Sequence, residues 1–270
     1  MQKRALIYIT GFLVVILSSC SEFRKVQKST DVTEKYEAAM KYYEKQDYYR
    51  ANILFEQIMP FYRGKKENED IQFYYAYVQY YQKQYILSAH YFKSFYDTYR
   101  RSEHAEEAFF MHAYSLYMQS PPYNLDQSSS EEAIAALQTF INKYPDSEHM
   151  DEAVDIMVEL RAKLEMKAFE NAKLYYHRGI YSAALIAFDN FAKDFPDSDY
   201  NAEASYLKIA AAYDYAQRSI LSRQKERYQE SVDLYLEMVD DFPESKWIRQ
   251  AESIYNNSVE QIDKFNKNNL

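Results

Sequence analysis

Glycine, cysteine and tryptophan are nearly missing from this chain: its 270 residues include three glycines, one cysteine and one tryptophan. Loops that cradle phosphate need several closely spaced glycines so that backbone can approach the ligand, whereas Gly11, Gly64 and Gly179 are scattered. Dinucleotide-binding, P-loop and kinase architectures are thereby excluded. One cysteine forms neither an intramolecular disulfide nor a cysteine-rich zinc site, which leaves a nucleophile or an attachment point. Basic charge is also short. A net charge of −9 argues against a nucleic-acid partner, because neutralising phosphates requires a basic face. What is abundant is tyrosine, with 30 residues, in a chain whose 47% hydrophobic content is ample for a core.

Lys3 and Arg4 precede an apolar stretch from Ala5 to Leu17, interrupted only by Thr10 and Gly11. Its 13 residues fall short of the roughly 20 that a membrane-spanning helix requires, so residues 1–19 read as a secretory signal. The stretch ends in Leu17-Ser18-Ser19-Cys20, which resembles a bacterial lipobox. That resemblance implies cleavage before Cys20 and acylation of its thiol and new amino group, the covalent lipid being the only attached group expected. Several acyl chains make a durable anchor, since each buried CH₂ contributes about 0.8 kcal/mol. Ser21 resembles the sorting signal of lipoproteins sent to the outer membrane, and residues 21–28 hold no acidic run of the kind that exports lipoproteins to the cell surface. The expected location is therefore the periplasmic face of the outer membrane. Residues 20–32 read as a lipidated N-terminus and linker. Arg24, Lys25 and Lys28 would each favour anionic lipid by about 1 kcal/mol, although three cations are also ordinary for a solvated linker.

The rest of the chain repeats. Tyr48, Ala51 and Phe55 are spaced by three and four, and the spacing returns at Tyr85, Ser88, Phe92; Ser130, Ala133, Leu137; Tyr181, Ala184, Phe188; and Tyr228, Ser231, Tyr235. Upstream of each triplet lies a second helical face with a small residue at its centre, as in Tyr36 with Ala39, Phe73 with Ala76, Phe110 with Ala113 and Phe169 with Ala172. A small residue lets two helices approach while aromatics fill the space around the crossing, so each unit is a helical hairpin. Tyr144-Pro-Asp-Ser147, Phe195-Pro-Asp-Ser198 and Phe242-Pro-Glu-Ser245 close three units. Proline stops the outgoing helix, and serine is placed to cap the next. Gly64-Lys65 and Arg101-Ser102 fill the same slot in diverged form.

The order of small and aromatic residues with proline punctuation resembles the tetratricopeptide repeat. The expected fold is all-α, a right-handed solenoid of five helical hairpins with a C-terminal capping helix, spanning residues 33–270. Its units run at about 33–63, 67–100, 103–145, 148–196 and 199–243. Two insertions read as polar loops, Ser120–Ser130 and the segment around Ser222–Arg227. Between Ser147 and Arg178 neither glycine nor proline intervenes, which predicts one long helix ended by Gly179. A helix from Trp247 to about Lys264 caps the stack.

No pattern of catalytic chemistry accompanies these hairpins. His90, His104, His112, His149 and His177 include no pair at helical zinc spacing, and the acids around His104 favour a helix start through the macrodipole. No nucleophile elbow is present. A non-enzyme without cofactor or metal is expected, and what remains is surface. In a tetratricopeptide stack the first helix of each hairpin lines the concave side, which places Tyr36, Met40 and Tyr43, then Phe73, Tyr77 and Tyr80, then Tyr114 and Tyr117 there. Tyrosine offers large contact area and a hydroxyl at little entropic cost, which suits an extended peptide. About half of these rings belong to hairpin core, and Tyr77, Tyr80, Tyr114 and Tyr117 are the foremost candidates.

A lipobox, a short linker and five such hairpins resemble the BamD family, lipoproteins of the outer-membrane β-barrel assembly machine. The segment from Lys163 to Ser198 matches best, with its Tyr181-Ser-Ala-Ala and Phe195-Pro-Asp-Ser motifs. The resemblance implies an adaptor that docks on POTRA domains of the barrel-forming subunit through its C-terminal half, from Tyr181 onward. It also implies that the N-terminal repeats receive unfolded barrel precursors. Two other readings stay open: a tetratricopeptide scaffold for periplasmic cell-wall or division enzymes, and a glycan-binding lipoprotein of the SusD kind. The latter uses exposed tryptophan, and Trp247 is the only one here.

Overall fold

A computed structural model describes residues 22–268, and every regular element among them is helical. Residues 22–28 form α1. Five hairpins follow: α2 (Val32–Glu44) with α3 (Tyr48–Tyr62), α4 (Asn68–Tyr81) with α5 (Tyr85–Thr98), α6 (Ala105–Gln119) with α7 (Ser128–Lys143), α8 (Met150–His177) with α9 (Tyr181–Asp194), and α10 (Asn201–Gln217) with α11 (Leu221–Asp241). A last helix, α12 (Ile248–Asn268), closes the series. The signal segment, the lipobox and Cys20 lie outside the described residues. No helix among those described is long and apolar enough to cross a membrane.

The chain divides into two compact units, and the division falls inside α8. The first holds the chain through Pro121 and Asp126–Leu160; the second holds Pro122–Leu125 and everything from Arg161. In the first, one core runs through Phe73, Phe92, Phe95, Phe110, Leu137 and Phe140 to Leu160 of α8, and an adjoining core is built on Leu54, Phe55, Ile58 and Ile71. In the second, Phe169, Phe188 and Phe191 form the main cluster, and Ile209, Met238 and Ala251 form another. The small residues of the repeat sit at the crossings: Ala39, Ala51, Ala76, Ser88, Ala113, Ala133, Ala172, Ala184 and Ser231 are fully buried. A larger side chain at these points would hold two helices apart. Where serine replaces alanine its hydroxyl is partnered, Ser88 Oγ with Ser115 Oγ at 2.9 Å and Ser231 Oγ with Ser258 Oγ at 3.3 Å.

Between hairpins the same turn recurs. The carbonyls of Tyr62, Tyr99, Tyr144, Phe195 and Phe242 each accept the N–H three residues on, so the proline-free turns at Gly64 and Arg101 share the geometry of the other three. The turn serines do not cap the following helix; Ser102, Ser147, Ser198 and Ser245 each accept the N–H two residues ahead, from His104, His149, Tyr200 and Trp247. This fixes an aromatic ring at each helix entry. His104 stacks on Phe73 at 4.2 Å, His149 on Phe110 at 4.3 Å, Tyr200 on Phe169 at 4.7 Å and Trp247 on Tyr206 at 5.1 Å. Two histidines considered for metal binding are thus interlocks between hairpins. Within hairpins, α2, α4 and α8 end on a left-handed residue, Gln46, Lys83 and Gly179, whose N–H bonds three residues back while the next N–H bonds five back.

Two expectations are corrected. Residues 22–28 are helical rather than a linker, because Phe23 is buried against Tyr42 at 5.6 Å and holds the segment down. The segment Ser222–Arg227 is the first turn and a half of α11, not a loop; Arg227 packs over the Tyr215 ring at 3.7 Å and donates to its hydroxyl. The Ser120–Ser130 insertion separates α6 from α7, and α8 is a single 28-residue helix.

Candidate functional site: a tyrosine face on the first unit

The first helices of the three N-terminal hairpins share a register. A core aromatic, Tyr36, Phe73 or Phe110, is followed four residues later by Met40, Tyr77 or Tyr114 and seven later by Tyr43, Tyr80 or Tyr117. That spacing puts the later two side chains on the same helix face, one above the other. Between neighbouring hairpins the rings then meet. Tyr43 lies 6.3 Å from Tyr81, Tyr81 5.4 Å from Tyr80, Tyr80 6.0 Å from Tyr114, and Tyr114 5.8 Å from Tyr117. The result is a ladder of phenols crossing three hairpins.

Five of the six candidate rings, Tyr43, Tyr77, Tyr80, Tyr114 and Tyr117, are half-buried and belong to this cluster. Phe73 does not line the surface. Only 3% exposed, it packs on Phe92, Phe95 and the His104 ring, and supports the face from beneath. Tyr36 turns toward Tyr62 in the core, and Met40 packs beside it. Tyr81 was missed: it is 44% exposed, stacks on Tyr48 at 4.4 Å and touches Tyr43, Tyr77 and Tyr80. Its signal was its place four residues after Tyr77, on the same helical face.

Two carboxylates set the electrostatics. The Tyr77 hydroxyl donates to Glu107 Oε1, and the Tyr117 hydroxyl donates to Glu159 Oε2 at 2.7 Å. Burial pushes the Tyr77 and Tyr43 phenols far above the ordinary tyrosine range, the Glu107 bond adding to the effect at Tyr77. Burial also raises Tyr80 to about 12, with Tyr114 and Tyr85 close by, and the Glu159 bond chiefly raises Tyr117 to about 12. Every one of these phenols is therefore neutral and a hydrogen-bond donor at physiological pH.

His112, on the same helix as Tyr114, is engaged elsewhere: its Nδ1–H donates to the Ala89 carbonyl at 2.9 Å, and burial lowers its pKa. Among the described residues no group of three or more His, Cys, Asp or Glu is placed to hold a metal. The arrangement offers aromatic area and donors rather than an acid–base pair. A family model described as YfiO, outer membrane lipoprotein, matches residues 28–215, which include the whole tyrosine face. No curated protein matches the chain significantly.

Proposed function

The chain belongs to the YfiO family of outer-membrane lipoproteins, and on that premise we propose that it is a non-catalytic adaptor of the β-barrel assembly machine, holding unfolded barrel precursors on its tyrosine face. Acyl chains on Cys20 anchor it at the periplasmic face of the outer membrane. Residues from Tyr181 onward meet the POTRA domains of the barrel-forming subunit.

The supporting observation is the pitch of the ladder. Its rings are 5.4–6.3 Å apart from Tyr43 to Tyr117, close to the roughly 6.7 Å between alternate side chains on one side of an extended strand. A strand laid along the ladder stacks alternate side chains against successive rings, while neutral phenols donate to its carbonyls. Barrel precursors end in an aromatic-rich strand of this kind. Recognition by ring faces and backbone tolerates many sequences, which an adaptor for many precursors needs.

Binding of an aromatic-ended strand peptide tests this reading. Changing Tyr80 and Tyr114 together to Ala is expected to weaken binding by at least about tenfold, equivalent to about 1.4 kcal/mol. Unchanged affinity would remove the face from the mechanism. Affinity purification from membranes tests the partner: the barrel-forming subunit is expected, and peptidoglycan enzymes in its place would favour the scaffold reading.

A further inference from the structure

The described chain enters the fold beside the turn of the first hairpin. Phe23 packs edge-on against Tyr42, the Arg50 guanidinium lies 5.5 Å over both rings, and Glu22 pairs with Lys41 at 3.5 Å. These partners are the last turn of α2 and the first of α3, so residues 22 and 23 are pinned at the α2/α3 turn. The α4/α5 turn lies next to it, because Tyr48 at the start of α3 stacks on Tyr81 at the end of α4, 4.4 Å apart with an interplanar angle of 14°. Around these two turns apolar side chains face outward: Tyr49 is 68% exposed and Ile86 72%, with Leu87 beside it.

Charge on this edge favours an anionic partner. Arg24, Lys25, Lys45 and Lys83 are exposed there. Of the nearby acids, Glu22 is engaged by Lys41 and Asp47 by Arg50 at 3.0 Å, which leaves Glu44 against the four cations. Lys28 is not part of the patch, since it lies about 9 Å along α1 from Glu22 at 1.5 Å per residue.

We propose that this turn edge of the first unit is a membrane-contact surface, with Tyr49, Ile86 and Leu87 at headgroup depth and Arg24, Lys25, Lys45 and Lys83 against lipid phosphates. The inference rests on the acylation of Cys20 proposed above. Two residues separate Cys20 from Glu22, a reach of at most about 7 Å. The polar layer of one leaflet is about 5–8 Å thick, so an anchored Cys20 cannot hold residue 22 clear of the surface. The edge fixed to residues 22 and 23 is then the part of the fold nearest the lipid. Tyrosine and aliphatic side chains rimmed by cations match what an anionic interface takes up. The tyrosine ladder begins at the same edge, at Tyr43 and Tyr81, so a strand leaving it at that end emerges at the lipid surface.

Fluorescence quenching in proteoliposomes tests the surface. In the full acylated chain Trp247 is replaced by Phe, and a single reporter is introduced as Ile86→Trp or, at the opposite end of α3, as Lys66→Trp. Brominated phosphatidylglycerol in a phosphatidylethanolamine bilayer is expected to quench the reporter at 86 and leave the one at 66 bright. Equal quenching, or stronger quenching at 66, would overturn the proposal. Mass and membrane pelleting, compared with Cys20→Ser, separate the two levels. An acylated, pelleting chain with the wrong quenching pattern removes the edge alone, whereas an unacylated chain removes the anchor and the edge with it.

Discussion

Glu107 and Glu203 occupy the same place in their hairpins, three residues before the core aromatics Phe110 and Tyr206, yet they receive different partners. In the first unit Glu107 accepts a phenol, from Tyr77. In the second Glu203 meets an ammonium, Lys173 Nζ at 3.5 Å, which also pairs with Glu170 at 3.0 Å. Tyr77 and Lys173 are themselves equivalent, each four residues after the core aromatic of the preceding hairpin. One scaffold position is thus aromatic and neutral in one unit, charged in the other. The next hairpins extend the contrast, with Tyr114 in the first unit and Ala210 in the second. Seven residues after the core aromatic all five hairpins keep tyrosine: Tyr43, Tyr80, Tyr117, Tyr176 and Tyr213. The ladder therefore depends on the variable position, where Tyr77 bridges to Tyr81 and Tyr114 bridges Tyr80 to Tyr117. The difference separates what builds a hairpin stack from what equips one unit to hold a strand.

Removing the shared interlock tests the common half of this contrast and has the largest expected effect. Phe73 and Phe169 are both almost fully buried and each supports a stacked ring, so Phe73→Ala and Phe169→Ala should each cost about 3–5 kcal/mol in denaturant unfolding. A small loss at either site would mean that the two units are not held by the same device. The variable half is tested by Tyr77→Lys, which imports the second unit's solution. The new ammonium can pair with Glu107 as Lys173 does with Glu203, so stability should change by less than about 1 kcal/mol. Strand-peptide affinity should fall about tenfold, or about 1.4 kcal/mol. If affinity survives, the aromatic position is not what distinguishes the units.

Acid should also tell the units apart, more weakly. The pKa of His112 is lowered by burial and by Lys93, against the raising influence of the Ala89 carbonyl bond, Asp97 and Glu132. An unfolded histidine takes its proton near 6.5, before the folded one does. The stabilising contribution is thus present above that pH and lost as pH falls through the lower folded value. Unfolding midpoints of the first unit, followed by hydrogen exchange from pH 7.5 to 5, should fall, and His112→Gln should flatten the fall. The second unit has no histidine in such a setting, His177 being exposed at the end of α8.

Much of this architecture was legible because two periodicities are written plainly. The triplets from Tyr48-Ala51-Phe55 onward mark second helices, and Ala39, Ala76 and Ala113 mark crossings, since small residues there have a single packing reason. The tyrosine face was legible as a helical stripe, but not the division of labour within it. Phe73 and Tyr77 lie four apart on one face, yet Phe73 is buried by His104, which approaches through a turn 31 residues away. Such depth is set by a neighbour that periodicity does not reveal. Residues 22–28 read as a linker because six of the seven are polar or only partly buried. A single ring, Phe23, decides their state through contacts with Tyr42 and Arg50. Ser222–Arg227 read as a loop from polarity alone, although a solvated helical turn is equally polar.

The hairpin turns show the smallest difference between the units, and the sequence hides it. The second unit ends α8 with Gly179 at φ +71°, where glycine pays no steric cost. The first unit makes the same turns with Gln46 at φ +58° and Lys83 at φ +60°. Side chains in this region crowd the following carbonyl, while glycine loses more backbone freedom on folding; the two effects partly cancel. Gln46→Gly and Lys83→Gly should therefore stabilise by only about 0.5–1 kcal/mol each. A Cβ added at Gly179 would meet only the Tyr181 hydroxyl at 3.8 Å, an ordinary contact, so Gly179→Ala should cost about 1 kcal/mol through backbone strain alone. Thermal unfolding of the three variants measures both signs. If Gln46→Gly and Lys83→Gly destabilise instead, the side chains at these turns contribute more than the left-handed backbone costs. The turn edge of the first unit would then be kept for its surface, with Lys83 among the groups facing lipid.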